Sequence, residues 1–396
     1  VAKNTAGLSL KWLLIVSFIN NFGMGFVWPL TSVYLHSELH QSMVTIGWVL
    51  LANSAGQALG SAISGALFDK FKPINIIKFG VGMMILIQLG LFFYHGWPSY
   101  AIFLAFYGLM AGWMGGIINA YGTSVHHYDG RFVYNMLYFT ANFGMVFATS
   151  LVGPIYSFGV QWLFVVALLM YTILFIIVYL NFDVPLERHV TEHSSSKMTL
   201  PRANAIMIGV VIVALIGIWI AYFQWNGSIS VYMESVLKLP LWQYSMLWTI
   251  NGGLVVIFQL IINALNLSTN TRAMWLELII GMALFVGAFF SISFAKDFAG
   301  FVLAMVITTI AEVMVFPMLP ALVNELTPAA VKGRYQGLVT AAPSMGRAIG
   351  PVVGGFMIDA HGYINMFRAM ALLVAGVYVI FIGIALLVMR RTKRYV

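Results

Sequence analysis

The sequence predicts an all-α membrane protein whose twelve transmembrane helices form two six-helix, pseudo-symmetric bundles. Three observations carry this reading. The 396 residues are 61% hydrophobic and 8% charged, whereas a soluble domain carries about 25% charged residues. The apolar residues come in long runs such as Val81–Tyr94 and Trp162–Leu180, not in alternation or narrow stripes. A polar stretch over 181–204, with Pro185, Pro201 and the Ser194–Ser196 run, parts the runs six from six.

Crossing a bilayer core takes about 20 mostly apolar residues. The runs read as spans at 10–35, 43–68, 76–95, 98–124, 133–156, 160–181, 204–233, 241–265, 274–296, 299–325, 334–357 and 366–389. They must be helices, because lipid offers an open sheet no partners for its backbone and barrel strands would alternate. The opening residues Val1–Gly7 are polar and too short for a cleavable signal, so the first run reads as a true span. With the N-terminus inside, the cytoplasmic segments hold 16 of the 20 Lys and Arg residues. The positive-inside rule then puts both termini in the cytoplasm. The expected organisation is an N-terminal bundle over 1–181, a cytoplasmic linker over 182–203 and a C-terminal bundle over 204–396. The expected location is the inner membrane of a bacterium.

Composition also excludes chemistry. With no cysteine, disulfides, iron–sulfur clusters and thiolate metal sites are ruled out, and the eight histidines read as offering no zinc pair. No metal and no cofactor are expected. The net charge of +8 follows the membrane rather than a nucleic-acid surface. No acid, base and nucleophile gather at one membrane face, so the chain does not read as an enzyme.

The halves echo each other. Gly130-Arg131-Phe132 opens the fifth span and Gly333-Arg334-Tyr335 the eleventh, and a Gly-Pro pair lies deep in each, Gly153-Pro154 and Gly350-Pro351. Duplicated six-span halves recur in secondary transporters, with the substrate site near the midplane. Between the second and third spans stand Gly65, Asp69 and Lys70, where glycine would permit close helix approach and aspartate could cap a helix or pair with a cation. These residues resemble the Gly-x-x-x-Asp-Arg/Lys loop of the major facilitator superfamily, although Pro73-Ile74 replaces its later Gly-Arg/Lys step. The run Gly346 to Gly355 resembles that family's Gly-x-x-x-Gly-Pro-x-x-Gly-Gly pattern. Glu312, Phe316-Pro317 and Gly333-Arg334-Tyr335 are together similar to the twelve-span bacterial multidrug/proton antiporters. The resemblance implies the major facilitator fold, and it implies that Gly65, Asp69, Lys70, Gly153, Pro154, Gly350 and Pro351 form conformational motifs. The antiporters' fourth-span Arg-x-x-Gln-Gly element is absent, since Gly108–Gly122 holds no arginine.

Ionisable groups inside spans are costly and read first as functional. Eleven of the 12 acidic residues, Glu277 among them, read as lying in loops or near span ends. Glu312 lies deep in the tenth span and is the expected proton-coupling residue. Arg347, equally deep in the eleventh, is its candidate ion-pair partner. The polar positions Asn20, Asn21, Asn119, Asn142, Gln224, Asn226 and Asn251, with Trp28, Trp113, Tyr138, Tyr222 and Trp225, are the candidates for a substrate cavity. Aromatic walls suit bulky amphipathic or cationic ligands.

The expected function is proton-coupled efflux of amphipathic or cationic drug-like compounds by alternating access. Its partners would be a small-molecule substrate, protons and the lipid bilayer, with the chain acting as a monomer. The alternatives are a uniporter or symporter for a neutral solute such as a sugar, and a lipid flippase.

Overall fold

The computed structural model describes residues 8–27, 30–122, 125, 128, 130–184, 200–264, 271–328 and 332–391, and no strand occurs among them. In order, the elements are α1 (Leu10–Met24), α2 (Thr31–Val33) running into a π turn (Tyr34–Glu38), α3 (Met43–Lys70), α4 (Pro73–Phe93), α5 (Ser99–Gly122), α6 (Gly130–Tyr156) and α7 (Gln161–Asn181). Then come α8 (Arg202–Tyr222) with two π turns (Trp225–Ile229 and Tyr232–Val236), α9 (Leu241–Ala264), α10 (Thr271–Ile292), α11 (Phe298–Val315), α12 (Met318–Leu326), α13 (Lys332–His361) and α14 (Tyr363–Arg391). Among the described residues, eight helical stretches are long and apolar enough to cross a bilayer, and α1 is apolar but shorter. Large apolar side chains such as Leu86, Phe106, Leu372 and Val379 are exposed on the outside of the helices. So many large apolar side chains left exposed suit a lipid environment.

Local chemistry sets the helix ends. Pro73 occupies the first turn of α4, where its missing N–H costs nothing. Asp297 caps α11 by accepting the Gly300 N–H at 2.9 Å. At the far end of α11, Phe316 still donates to the Glu312 carbonyl at 3.0 Å, but Pro317 has no N–H to continue the ladder, and α12 starts afresh at Met318.

Two π-turn endings share one backbone pattern. Ser32-Val33-Tyr34 and Ser230-Val231-Tyr232 each lead into a π turn. Leu39 donates to the Tyr34 carbonyl at 3.1 Å, and Leu237 to that of Tyr232 at 3.0 Å. Each turn ends on a left-handed residue, His40 at φ 52° and Lys238 at φ 57°. Discontinuities of this kind concentrate at functional sites in membrane helices.

The chain divides into two compact units. One comprises Val1–Gln41, Trp48–Thr191 and Pro240–Gly252; the other comprises Ser42–Gly47, Glu192–Leu239 and Gly253–Val396. In the first, α1 packs on α6 and α7, and α4 packs on α5 and α7. In the second, α8 packs on α13 and α14, and α10 packs on α11 and α14.

Small residues bring these helices together. A Cβ on Gly60 would fall on the Leu109 carbonyl, and one on Gly112 on the Gln57 carbonyl, so α3 and α5 meet backbone to backbone. Asn53 fastens the same seam by donating to the Leu104 carbonyl at 2.8 Å. Gly65 does not take part: a Cβ there would meet nothing within 4 Å. The expectation that Gly65 permits close approach is therefore corrected; the approach falls one to two turns earlier on α3, where glycine faces backbone. Lys70 is exposed. The Asp69 side chain, Trp28 and most of the 182–203 linker lie outside the described residues.

Candidate functional site

The second unit places an acid at the meeting of two interrupted helices. Tyr222 is the last residue of α8, and Glu312 lies one turn before the Phe316–Pro317 break. Tyr222 donates its hydroxyl to Glu312 Oε2 at 3.0 Å. Tyr222 is buried and Glu312 half-buried, and a hydrogen bond to a carboxylate is stronger than a neutral one.

Arg347 borders the aromatic cluster that Tyr222 belongs to. Its guanidinium carbon lies 5.2 Å from the centre of the Trp219 ring, within cation–π range. Its Nη2 donates to Ser344 Oγ at 3.1 Å. Trp219 and Tyr222, three residues apart, share one face of α8; their rings lie 5.1 Å apart. Phe316 stacks on Trp219 at 4.8 Å, and Phe285 of α10 approaches Phe316 at 5.7 Å. The geometry thus joins Arg347 and Glu312 through Trp219, Tyr222 and Phe316. Trp219 and Phe285 escaped the sequence reading, because nothing in an apolar run distinguishes a ring facing a polar group from one facing lipid.

Glycine sets the spacing that this cluster needs. A Cβ on Gly346 would stand 2.5 Å from Trp219 Cβ and 2.7 Å from the Ile216 carbonyl. Only glycine there lets α13 come close enough for Arg347 to cover the indole. One turn on, Gln224 Nε2 donates to the Gly350 carbonyl at 2.7 Å, and Gln224 Oε1 accepts from Ser228 at 2.7 Å. Gln224 is a clamp between α8 and α13. Pro351 lies inside α13, as Pro154 lies inside α6. Trp225 and Asn226 are buried in the first π turn after α8.

The first unit holds a cavity of about 420 Å³ walled by α1, α5 and α6, within the usual size range for small-molecule sites. Asn20, Asn21, Asn119 and Tyr138 line it, with Met24 and Leu137 among the apolar members. Asn21 is held by the Ser17 carbonyl at 2.8 Å. Asn20 Oδ1 is buried with no hydrogen-bond partner, so the wall offers an acceptor in want of a donor. Gly144 lets α6 approach α1 here, since a Cβ on it would lie 2.5 Å from the Phe18 carbonyl.

Other candidates stand elsewhere. Trp113 turns from the cavity towards α4, donating Nε1 to the Ile76 carbonyl at 3.0 Å. Asn142 donates to the Tyr138 carbonyl on its own helix at 2.8 Å. Gly153 packs against Trp242, whose Cα a Cβ would approach to 2.8 Å. Asn251 is buried in α9. His36 and His40 do stand four residues apart, the spacing of a helical zinc pair. The left-handed backbone at His40 ends the helix between them, however, and no metal-binding group of three forms among the described residues. Glu277 lies near the start of the α10 span, as expected, but it is buried there, 4% exposed.

The Major Facilitator Superfamily model matches residues 13–342 and 277–395. The chain is 33% identical over 392 residues to the uncharacterized MFS-type transporter YttB of Bacillus subtilis (strain 168), covering 97% of this chain and 96% of that one. It is 23% identical over 367 residues to the uncharacterized MFS-type transporter YqjV of the same organism, covering 89% and 87%. Among solved structures it is similar in fold to a POT family transporter in complex with 5-aminolevulinic acid, with a TM-score of 0.80, 12% identity and 96% of each chain covered. The nucleoside transporter NupG aligns with a TM-score of 0.76 at 14% identity, over 96% of this chain and 99% of that one. This chain is a membrane-embedded, multi-pass helical protein that belongs to the Major Facilitator Superfamily of transporters.

Proposed function

We propose that the protein is a proton-coupled exporter of amphipathic or cationic organic compounds, working by alternating access with Glu312 as the proton carrier. The observation that carries this reading is the Tyr222–Glu312 hydrogen bond at the ends of two interrupted helices. Interrupted helices can re-angle without unravelling a continuous hydrogen-bond ladder, so an acid at the break can change its surroundings between states. Unprotonated, Glu312 keeps Tyr222 as a donor and attracts a cationic substrate. Protonated, it loses that attraction, which favours substrate release. The aromatic wall of Trp219, Tyr222 and Phe316 suits flat or bulky cations.

The organisation proposed with this function is twelve spans in two six-helix halves, with both termini in the cytoplasm of a bacterial cell and the chain acting as a monomer. Support comes from matched helix pairings in the two units, α1 on α6 as α8 on α13 and α4 on α7 as α10 on α14, and from the paired π-turn endings.

The deciding experiment drives transport of a lipophilic cation with an imposed pH gradient in proteoliposomes. Glu312→Gln should abolish gradient-driven transport while leaving counterflow exchange intact. A Gln variant that still follows the gradient would refute the role of Glu312.

A second reading has its own support. The cavity of the first unit is lined by three asparagines and a tyrosine, with no acid in its wall. Such a wall suits a neutral solute rich in hydroxyl or amide groups, which a uniporter or symporter would carry. Binding screens separate the two: stabilisation by several unrelated cations favours export, and stabilisation by one neutral solute favours the second reading.

A further inference from the structure

Glu277 is an acid that the proposed cycle does not use. It lies in the second turn of α10, 4% exposed, with Leu278 behind it at 0% and the neighbouring Leu276 turned outward at 53%. Neither Glu277 Oε1 nor Oε2 has a hydrogen-bond partner. One turn further along α10, Gly281 meets α11 beside Glu312: a Cβ there would stand 2.7 Å from Val315, 2.9 Å from Met314 and 3.5 Å from the Ala311 carbonyl. On the side of α14, Trp275 faces Phe381 at 5.8 Å. Elements packed on α10 are α11, α12 and α14. Their described ionisable groups are Glu312, whose carboxylate receives Tyr222, Glu325, Tyr363, Arg368 and Tyr378. None of these is hydrogen-bonded to Glu277. The side chains of Arg272, Arg390 and Arg391 lie outside the described residues.

A charged carboxylate buried without donor or cation is strongly disfavoured, because it loses its hydration with nothing to replace it. The neutral acid costs far less. We infer that Glu277 is a second proton-binding residue of this protein, carrying its proton while α10 and α11 are packed as described and releasing it when they part. The step is a plain ionisation: the carboxyl O–H breaks, the electron pair stays on oxygen and the proton passes to water. No oxidant or other reactant takes part. Its place in transport rests on the proton-coupled reading above; its protonation does not.

Infrared difference spectroscopy of the full chain in lipid bilayers tests the inference through the carbonyl stretch of protonated carboxyl groups. At neutral pH the wild type should show a buried-carboxyl band that Glu277→Gln removes and Glu312→Gln leaves. If the band spectrum of Glu277→Gln matches the wild type, Glu277 carries no proton and the inference falls. Glu277→Met, apolar and of similar length, should lose the same band and supplies the test if the Gln variant does not fold. A transport assay then separates the two ideas. If Glu277→Gln changes the number of protons moved per substrate while Glu312→Gln changes nothing, the role given to Glu312 fails and that of Glu277 stands. If Glu277→Gln and Glu277→Met both transport with wild-type stoichiometry, Glu277 has no place in the cycle.

Discussion

Tyr222 donates to Glu312 across 3.0 Å, from the last residue of α8 to the last turn of α11. Tyr222 ends α8 and Glu312 lies in the last turn of α11, each beside an irregular segment, so the bond ties together two points where the backbone can bend. Loss of the bond therefore bears on stability and on motion together.

Tyr222→Phe removes the donor and keeps the edge-on ring contacts with Trp219 and Phe316. We expect a loss of about 1–3 kcal/mol, as for a hydrogen bond to a charged group, seen as a lower unfolding temperature in detergent. Gradient-driven transport should slow while counterflow persists. An unchanged unfolding temperature would remove the bond from the stability of this unit.

Arg347 and Trp219 should be energetically coupled. A double-mutant cycle of Arg347→Ala and Trp219→Leu should give about 0.5–2 kcal/mol, as for a partly desolvated cation–π pair. Arg347→Lys should recover only part of it, because a planar guanidinium covers an indole better than an ammonium does. Additive single-variant losses would show the pair to be incidental.

The α3–α5 seam makes a paired prediction. Gly60→Ala drives a methyl into the Leu109 carbonyl and should destabilise by about 1–3 kcal/mol, like other overpacked sites. Gly65→Ala meets open space and should be neutral, or stabilise by about 0.5–1 kcal/mol through helix propensity. Thermal unfolding of the two variants side by side tests both; equal losses would refute the seam.

Asn20→Leu fills part of the cavity of the first unit and removes its unpaired acceptor. Substrate affinity should fall about tenfold, the equivalent of roughly 1.4 kcal/mol, with no loss of unfolding temperature. Titration of the purified variant with a transported compound provides the measurement; wild-type affinity would move the binding site elsewhere.

Some of this is legible in the sequence. Glu312 could be picked out because one carboxylate in an apolar run is expensive wherever the helix turns. The break at Phe316–Pro317 follows from proline's missing N–H. Other readings needed the neighbours. Trp113 and Asn20 both look like cavity residues in a string of letters, yet one bonds α4 and the other lines a cavity. Glu277 reads as an acid near a span end, and it does lie there, but only its packed neighbours show it buried without a hydrogen-bond partner.

By itself the sequence determined the membrane, the helices and the family, because hydropathy and backbone satisfaction act residue by residue along the chain. Tertiary structure alone decided which polar groups meet. A helix can present any face to its neighbour until small residues such as Gly346 and Gly60 select one. That choice sets Arg347 over Trp219, turns Tyr222 to Glu312 and leaves Glu277 buried without a partner.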